Sequence, residues 1–286
     1  MEVALQLLPA TIAGILYALR AHALAPTPRA VPTWRKACFY GGLTLIVVSL
    51  TAMGPLADEL FWAHMVEHLI VGDLGALLLV LGLTGPLLAP VLRIRFFDRL
   101  RALTHPVVAF GLWAAGLYLW HLPVLHEAAV RHGAVHALQH ACFVAFGVNM
   151  WLALLGPLPK PAWFGNAARL VYVVAVRLTG AVLGNVLVFG GQIFYGVYAP
   201  GEHAHGISAA ADQNAAGAIM MVEGSIVTLL LFGWLFQRTA REGEERQALL
   251  DLAAARGVEL SEARAARAVA AGSGPELRRR IEGAPR

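Results

Sequence analysis

Two histidine pairs with helical spacing stand out in this chain: His64-Met65-Val66-Glu67-His68 and His136-Ala137-Leu138-Gln139-His140. Residues four apart stack on one helix face, so each pair can present two imidazoles to a single ion. Between the pairs, Trp120-His121-Leu122-Pro123 closes another apolar stretch. Imidazole suits zinc, copper, iron or nickel, whereas magnesium and calcium call for oxygen ligands. Methionine narrows the choice: Met65 adjoins His64, Met53 ends an apolar stretch, and Met220-Met221 lie in the last one. Thioether with imidazole favours copper, Cu(I) above all. Glu67, inside the first pair, is placed to orient a ligating histidine. The same five residues also fit H-x-x-E-H, a zinc-protease pattern whose chemistry further needs a third ligand and an open water position.

The elements that carry these residues are membrane helices. Hydrophobic residues make up 58% of the 286, charged residues 14%, and the mean hydropathy is +0.63. Soluble domains carry about 25% charged residues, so the composition predicts an all-α, polytopic membrane protein. Seven stretches reach the ~20 apolar residues that a span requires, near 3–20, 37–55, 63–91, 106–122, 134–156, 168–198 and 212–237. The third and sixth are long enough to tilt, kink or protrude. No strand alternation competes with them.

Basic residues set the expected orientation. Arg20, Arg29, Arg35 and Lys36 follow the first span; Arg93, Arg95, Arg99 and Arg101 follow the third; Lys160 and Arg169 follow the fifth. Ten more arginines lie from Arg238 onward, while the intervening loops offer only Arg131. The positive-inside rule then places the N-terminus outside and the C-terminus in the cytoplasm. The net charge of +4 reflects this topology and calls for no nucleic-acid partner. Residues 1–25 read as an N-out first span, since Glu2 stands where a signal peptide would carry early Lys or Arg. Cys38 and Cys142 fall at opposite depths, which argues against a disulfide.

With that topology, nine of the eleven histidines face outward, and only His22 and His105 face the cytoplasm. His126, His132, His203 and His205 lie in outer loops without helical pairing and read as surface or packing residues. The chain divides into a seven-helix transmembrane domain, 1–237, and a charged cytoplasmic tail, 238–286. The tail is read as one amphipathic helix near 243–256 and a second capped by Ser261, broken at Gly272-Ser273-Gly274-Pro275. Three charges, Asp73, Arg177 and Glu223, fall at similar mid-membrane depths. Buried charges are costly unless paired, so a structural ion pair between Arg177 and a carboxylate is expected, with a proton or ion path as the alternative.

The ordered motifs resemble the membrane-embedded CtaG family of cytochrome c oxidase assembly factors. They are His-Met-x-x-His opening the third span, the apolar run to Gly85-Pro86, Leu119-Trp120-His121-Leu122-Pro123, His136-x-Leu-x-His140, and Asp212-Gln213-x-x-Ala216-Gly217-x-Ile219-Met220. The resemblance covers roughly residues 10–237 and implies a seven-helix bundle that delivers or inserts copper during oxidase maturation. It differs at two points: the pairs enclose Glu67 and Gln139, where the pattern has Gln first and Glu second, and Met221 stands where tryptophan is usual. The resulting expectation is a copper site formed by His64, His68, His136 and His140, with His121, Met65 and Met220 contributing and Glu67, Gln139 and Asp212 supporting them. The protein would catalyse no turnover reaction. It would reside in the bacterial inner membrane among its lipids, with oxidase subunits and a copper chaperone as partners. Competing readings are a bis-histidine haem protein, a zinc metalloprotease and a transporter, which reduced spectra, a Glu67→Ala variant and liposome flux would separate.

Overall fold

The computed structural model describes residues 2–94 and 101–283; Arg95, Arg99 and Arg286, counted above for orientation, lie outside them. Among the described residues every regular element is a helix, the arrangement that satisfies backbone groups within the segment in lipid. In order these are α1 (Glu2–Leu24), α2 (Thr33–Val48), α3 (Gly54–Ala57), α4 (Phe61–Leu69), α5 (Ala76–Gly82) and α6 (Gly85–Leu92). After them come α7 (Pro106–Trp120), α8 (Pro123–Arg131), α9 (Gly133–Leu155), α10 (Asn166–Phe189), α11 (Ala199–His205), α12 (Ala209–Ala255), α13 (Glu262–Ala270) and α14 (Gly274–Glu282). A π-helical turn at Ser49–Met53 joins α2 to α3, and another at Ile70–Gly75 joins α4 to α5. Among the described residues, six helical stretches are long and apolar enough to cross a bilayer, α2 to α3 and α4 to α5 each counting as one. A seventh span results if α7 and α8, bent by 72° at Leu122-Pro123, count as one.

The breaks have local causes. The stretch read as one span over 63–91 ends at Gly82, because Leu83 and Thr84 are extended ahead of Gly85-Pro86. Arg35 donates to the Leu81 and Leu83 carbonyls at 2.9 and 2.8 Å, covering the orphaned end of α5. The stretch read as a span over 168–198 stops at Phe189, and Gly191, with φ +70°, carries the chain away in the left-handed region. Residues 243–256 do not form a separate helix. They end α12, which has no proline from Ala209 to Ala255 and carries an Arg238–Glu242 pair at i,i+4.

The chain forms two compact units, Met1–Ile226 and Val227–Arg286. In the first, α9 packs along α7 and across the Ile70–Gly75 turn and α5, and α2 packs on α5. Small residues permit the closest crossings, as expected where helices meet in lipid. A Cβ at Gly147 would lie 1.9 Å from the Gly72 carbonyl oxygen, and one at Gly217 would lie 2.7 Å from the Gly184 carbonyl oxygen. In the second unit Leu249, Ala253, Val269 and Ile281 form a small core. There the Ser261 hydroxyl accepts the Arg264 amide to start α13.

Candidate metal centre

The α4 helix begins at an extended Leu60, and its first amides are not left bare. Asp212, from the start of α12, accepts the Phe61 and Trp62 amides at 2.8 Å each. A carboxylate there satisfies orphan donors and complements the positive end of the helix dipole. The next residue, Gln213, donates to the Leu187 and Gln192 carbonyls and accepts the Phe194 amide, holding the loop after α10. The Asp-Gln motif therefore positions both the helix that carries His64 and His68 and the loop that covers them. Asp212 supports the centre through the helix start and makes no contact with an imidazole in these bonds.

One helical turn into α4 and α9, the two histidine pairs converge. His64 and His68 rings lie 4.1 Å apart by centroid, and His136 and His140 lie 4.2 Å apart. Across the helices, His64 stacks on His136 at 5.2 Å and His68 meets His140 edge-on at 5.4 Å. Glu67 projects between them, its Oε2 3.5 Å from His140 Nε2 and 4.0 Å from His136 Nε2. Among the described residues, two triads have donor atoms all within 4.8 Å of one another: His64, His68 and His136, and Glu67, His136 and His140. Ligands sharing an ion at about 2 Å each stand at most ~4 Å apart, so small side-chain rotations close either triad.

These donors are buried and unspent. Both ring nitrogens of His64, His68 and His140, along with His136 Nε2 and Glu67 Oε2, are buried without a hydrogen-bond partner. Buried polar atoms ordinarily find partners, and leaving them without one is costly. A cation shared by imidazole lone pairs and a carboxylate would satisfy them together. The donor set of nitrogens with one oxygen suits copper or zinc and does not suit magnesium or calcium.

Other histidines separate cleanly. His121 is buried on the inner side of this group, where its Nε2 lies 3.5 Å from Met65 Sδ. Met220 lines the same small space. The Gln139 side chain is buried on α9 with both polar atoms unpartnered. His205 is partly exposed and bonds Glu59 at 2.7 Å, outside the group. Among the histidines assigned to outer loops, His126 is the packed one and lies in a helix. It is fully buried in α8, with its ring 4.7 Å from His64 and its Nε2 2.9 Å from the Tyr198 hydroxyl. Burial pushes the Tyr198 phenol well above its ordinary pKa, so it keeps its proton. Tyr195, its hydroxyl bonded to the His121 carbonyl at 2.7 Å, completes this aromatic cover. The available signal was Pro123: as the first residue of a helix, it places His126 and Ala129 on one face.

Residues 15–242 match the family described as cytochrome c oxidase caa3 assembly factor (Caa3_CtaG). The chain belongs to the CtaG family. The match takes in both histidine pairs, His121 and the Asp212-Gln213 motif, and the family is one of cytochrome c oxidase assembly factors. This CtaG chain is also 24% identical over 254 residues to an uncharacterized protein of Mycobacterium leprae (strain TN), across 81% of its own length. It spans only 37% of the length of that relative. No solved structure matches. In this CtaG chain the buried carboxylate of the centre comes from the first pair, as Glu67, and lies 3.5 and 4.0 Å from the two histidines of the second, while the exposed Asp58 lies 3.9 Å from His136 Nδ1.

Beside the Ile70–Gly75 turn lies the ionic cluster. Arg177 donates to both carboxylate oxygens of Asp73, Nη1 to Oδ2 and Nη2 to Oδ1 at 3.3 Å, and its Nη1 lies 3.7 Å from Glu223. The Trp151 indole donates to Asp73 Oδ1 at 3.0 Å and lies beneath the guanidinium. The cluster therefore ties the Ile70–Gly75 turn, α9, α10 and α12 together.

Proposed function

We propose that this protein holds copper between α4 and α9 and passes it to cytochrome c oxidase as that enzyme is assembled. The observation that carries the reading is the convergence of His64, His68, His136, His140 and Glu67 with their nitrogen donors buried and unpartnered. Family membership supplies the oxidase, and the copper is cargo. No turnover reaction is needed: the centre has to bind, exclude competing water, and release to a recipient with a better ligand set. Oxidase subunits and a copper-donating chaperone are the partners this reading calls for, in a bacterial inner membrane.

The test is metal content. Detergent-purified protein loaded with copper and desalted should retain it, whereas His136→Asn/His140→Asn should bind it at least ~10–100-fold more weakly, the range lost even when an outer partner of a ligand is removed. Oxidase maturation in cells should fall in parallel. His22→Asn and His105→Asn, which lie away from the centre, should change neither. Full occupancy in the double variant would end the copper reading.

Charge distribution supports an orientation with the N-terminus outside, which opens the metal centre toward the outer face. Topology reporters fused at Gly206 and after Gln237 should then report opposite sides of the membrane. The same side for both would require a different span count.

A further inference from the structure

His121 and Met65 set two metal-ligating atoms side by side. The Leu117 carbonyl, which can only accept, lies 2.7 Å from His121 Nδ1, so Nδ1 carries the ring proton. Nε2 of the neutral ring is then a bare lone pair, and it faces Met65 Sδ at 3.5 Å. A thioether sulfur has no hydrogen to give. Two Lewis bases therefore point at one another in a buried position, with His121 6% and Met65 1% exposed. A soft cation shared by the two would use both lone pairs.

The surroundings supply further ligands. A cavity of about 60 Å³ adjoins the pair and is also lined by His68 and Met220. Both ring nitrogens of His68 lack hydrogen-bond partners. The carboxylate on the cavity wall, Asp73, is already engaged by Arg177 and Trp151. The free donors are thus two imidazoles and two thioethers, a soft set that selects Cu(I) over zinc. We propose a second metal site, formed by His121, Met65, Met220 and His68, that takes a soft monovalent cation, Cu(I). It lies inward of the imidazole–carboxylate centre, and His68 belongs to both. An ion could therefore move from one site to the other by exchanging ligands around a single shared histidine. The site's chemistry stands on its own donors; its place in a copper route rests on the function proposed above.

The test uses full-length protein in detergent with Cys38 and Cys142 replaced by serine, because both thiols are free and would bind Cu(I) themselves. Loaded anaerobically with Cu(I), it should hold two equivalents and show copper–sulfur scattering in X-ray absorption. Met65→Leu/Met220→Leu preserves volume and apolarity; it should lose one equivalent and all sulfur scattering. His136→Asn/His140→Asn should keep the sulfur signal while losing the outer equivalent. Only nitrogen and oxygen scatterers in the parent protein, or sulfur scattering that survives in the methionine variant, would overturn the proposal. Failure of the outer centre would show differently, as His136→Asn/His140→Asn retaining both equivalents.

Discussion

Replacing Arg177 with leucine should cost about 3–5 kcal/mol of stability, the usual penalty for leaving one partner of a buried ion pair uncompensated. Arg177 forks onto Asp73, lies near Glu223 and sits over Trp151, so its loss strands two largely buried carboxylates. The measurement is unfolding of purified protein in mixed micelles, followed by helical circular dichroism. The sharper comparison is Arg177→Leu with Asp73→Asn and Glu223→Gln. Removing the charges together should restore much of the loss, since apolar or neutral replacements of a whole buried ionic group are often tolerated. A single variant as stable as the parent would show that the cluster is solvated and that the helices are held elsewhere.

Gly147→Val should separate the metal centre without touching a ligand. Even a Cβ there would sit 1.9 Å from the Gly72 carbonyl oxygen, backbone against side chain, with no flexible group to yield. Overpacking in a tight core costs about 1–3 kcal/mol. Here the strain is relieved only by moving α9 away from the Ile70–Gly75 turn. His136 and His140 ride on α9, so copper retention should fall along with thermal stability. Gly111→Ala and Gly180→Ala are the controls. A Cβ at either meets nothing within 4 Å, and exchanging helical glycine for alanine should be neutral or slightly stabilising. Unchanged copper retention in Gly147→Val would mean that the pairs are not held together by this crossing.

Much of this architecture was legible in the residues, because bilayer thickness imposes a length and an apolar composition on every span. The i,i+4 spacing of both histidine pairs needed only helical geometry, and their convergence followed once α4 and α9 proved to be neighbours. Other features depend on contacts that no local pattern encodes. Asp212 is 151 positions from Phe61, the residue whose amide it accepts, so its motif says that it matters without saying where. His126 read as a loop residue because the bend at Leu122-Pro123 hides a short helix turned back over the centre. The ends of the third and sixth spans were missed for another reason. Hydropathy continues through Leu83 and Val197, while the helix does not, since proline and a left-handed glycine act on backbone geometry and leave apolar character unchanged.

The wide turn at Ile70–Gly75 carries a consequence of its own. A π turn accommodates one residue more than the α turn it replaces, and one residue corresponds to about 100° of rotation. The turn is therefore a phase shifter. It turns His64 and His68 above it, and Ala76 below it, toward the same neighbouring helix, whereas in an unbroken α-helix Ala76 would be rotated about 80° away from His68. Loss of a single residue within the turn would leave hydropathy, charge and span length almost unaltered, yet would swing the imidazoles a quarter-turn or more out of alignment with α9. The centre is thus far more exposed to single-residue deletions in this segment than to conservative substitutions there.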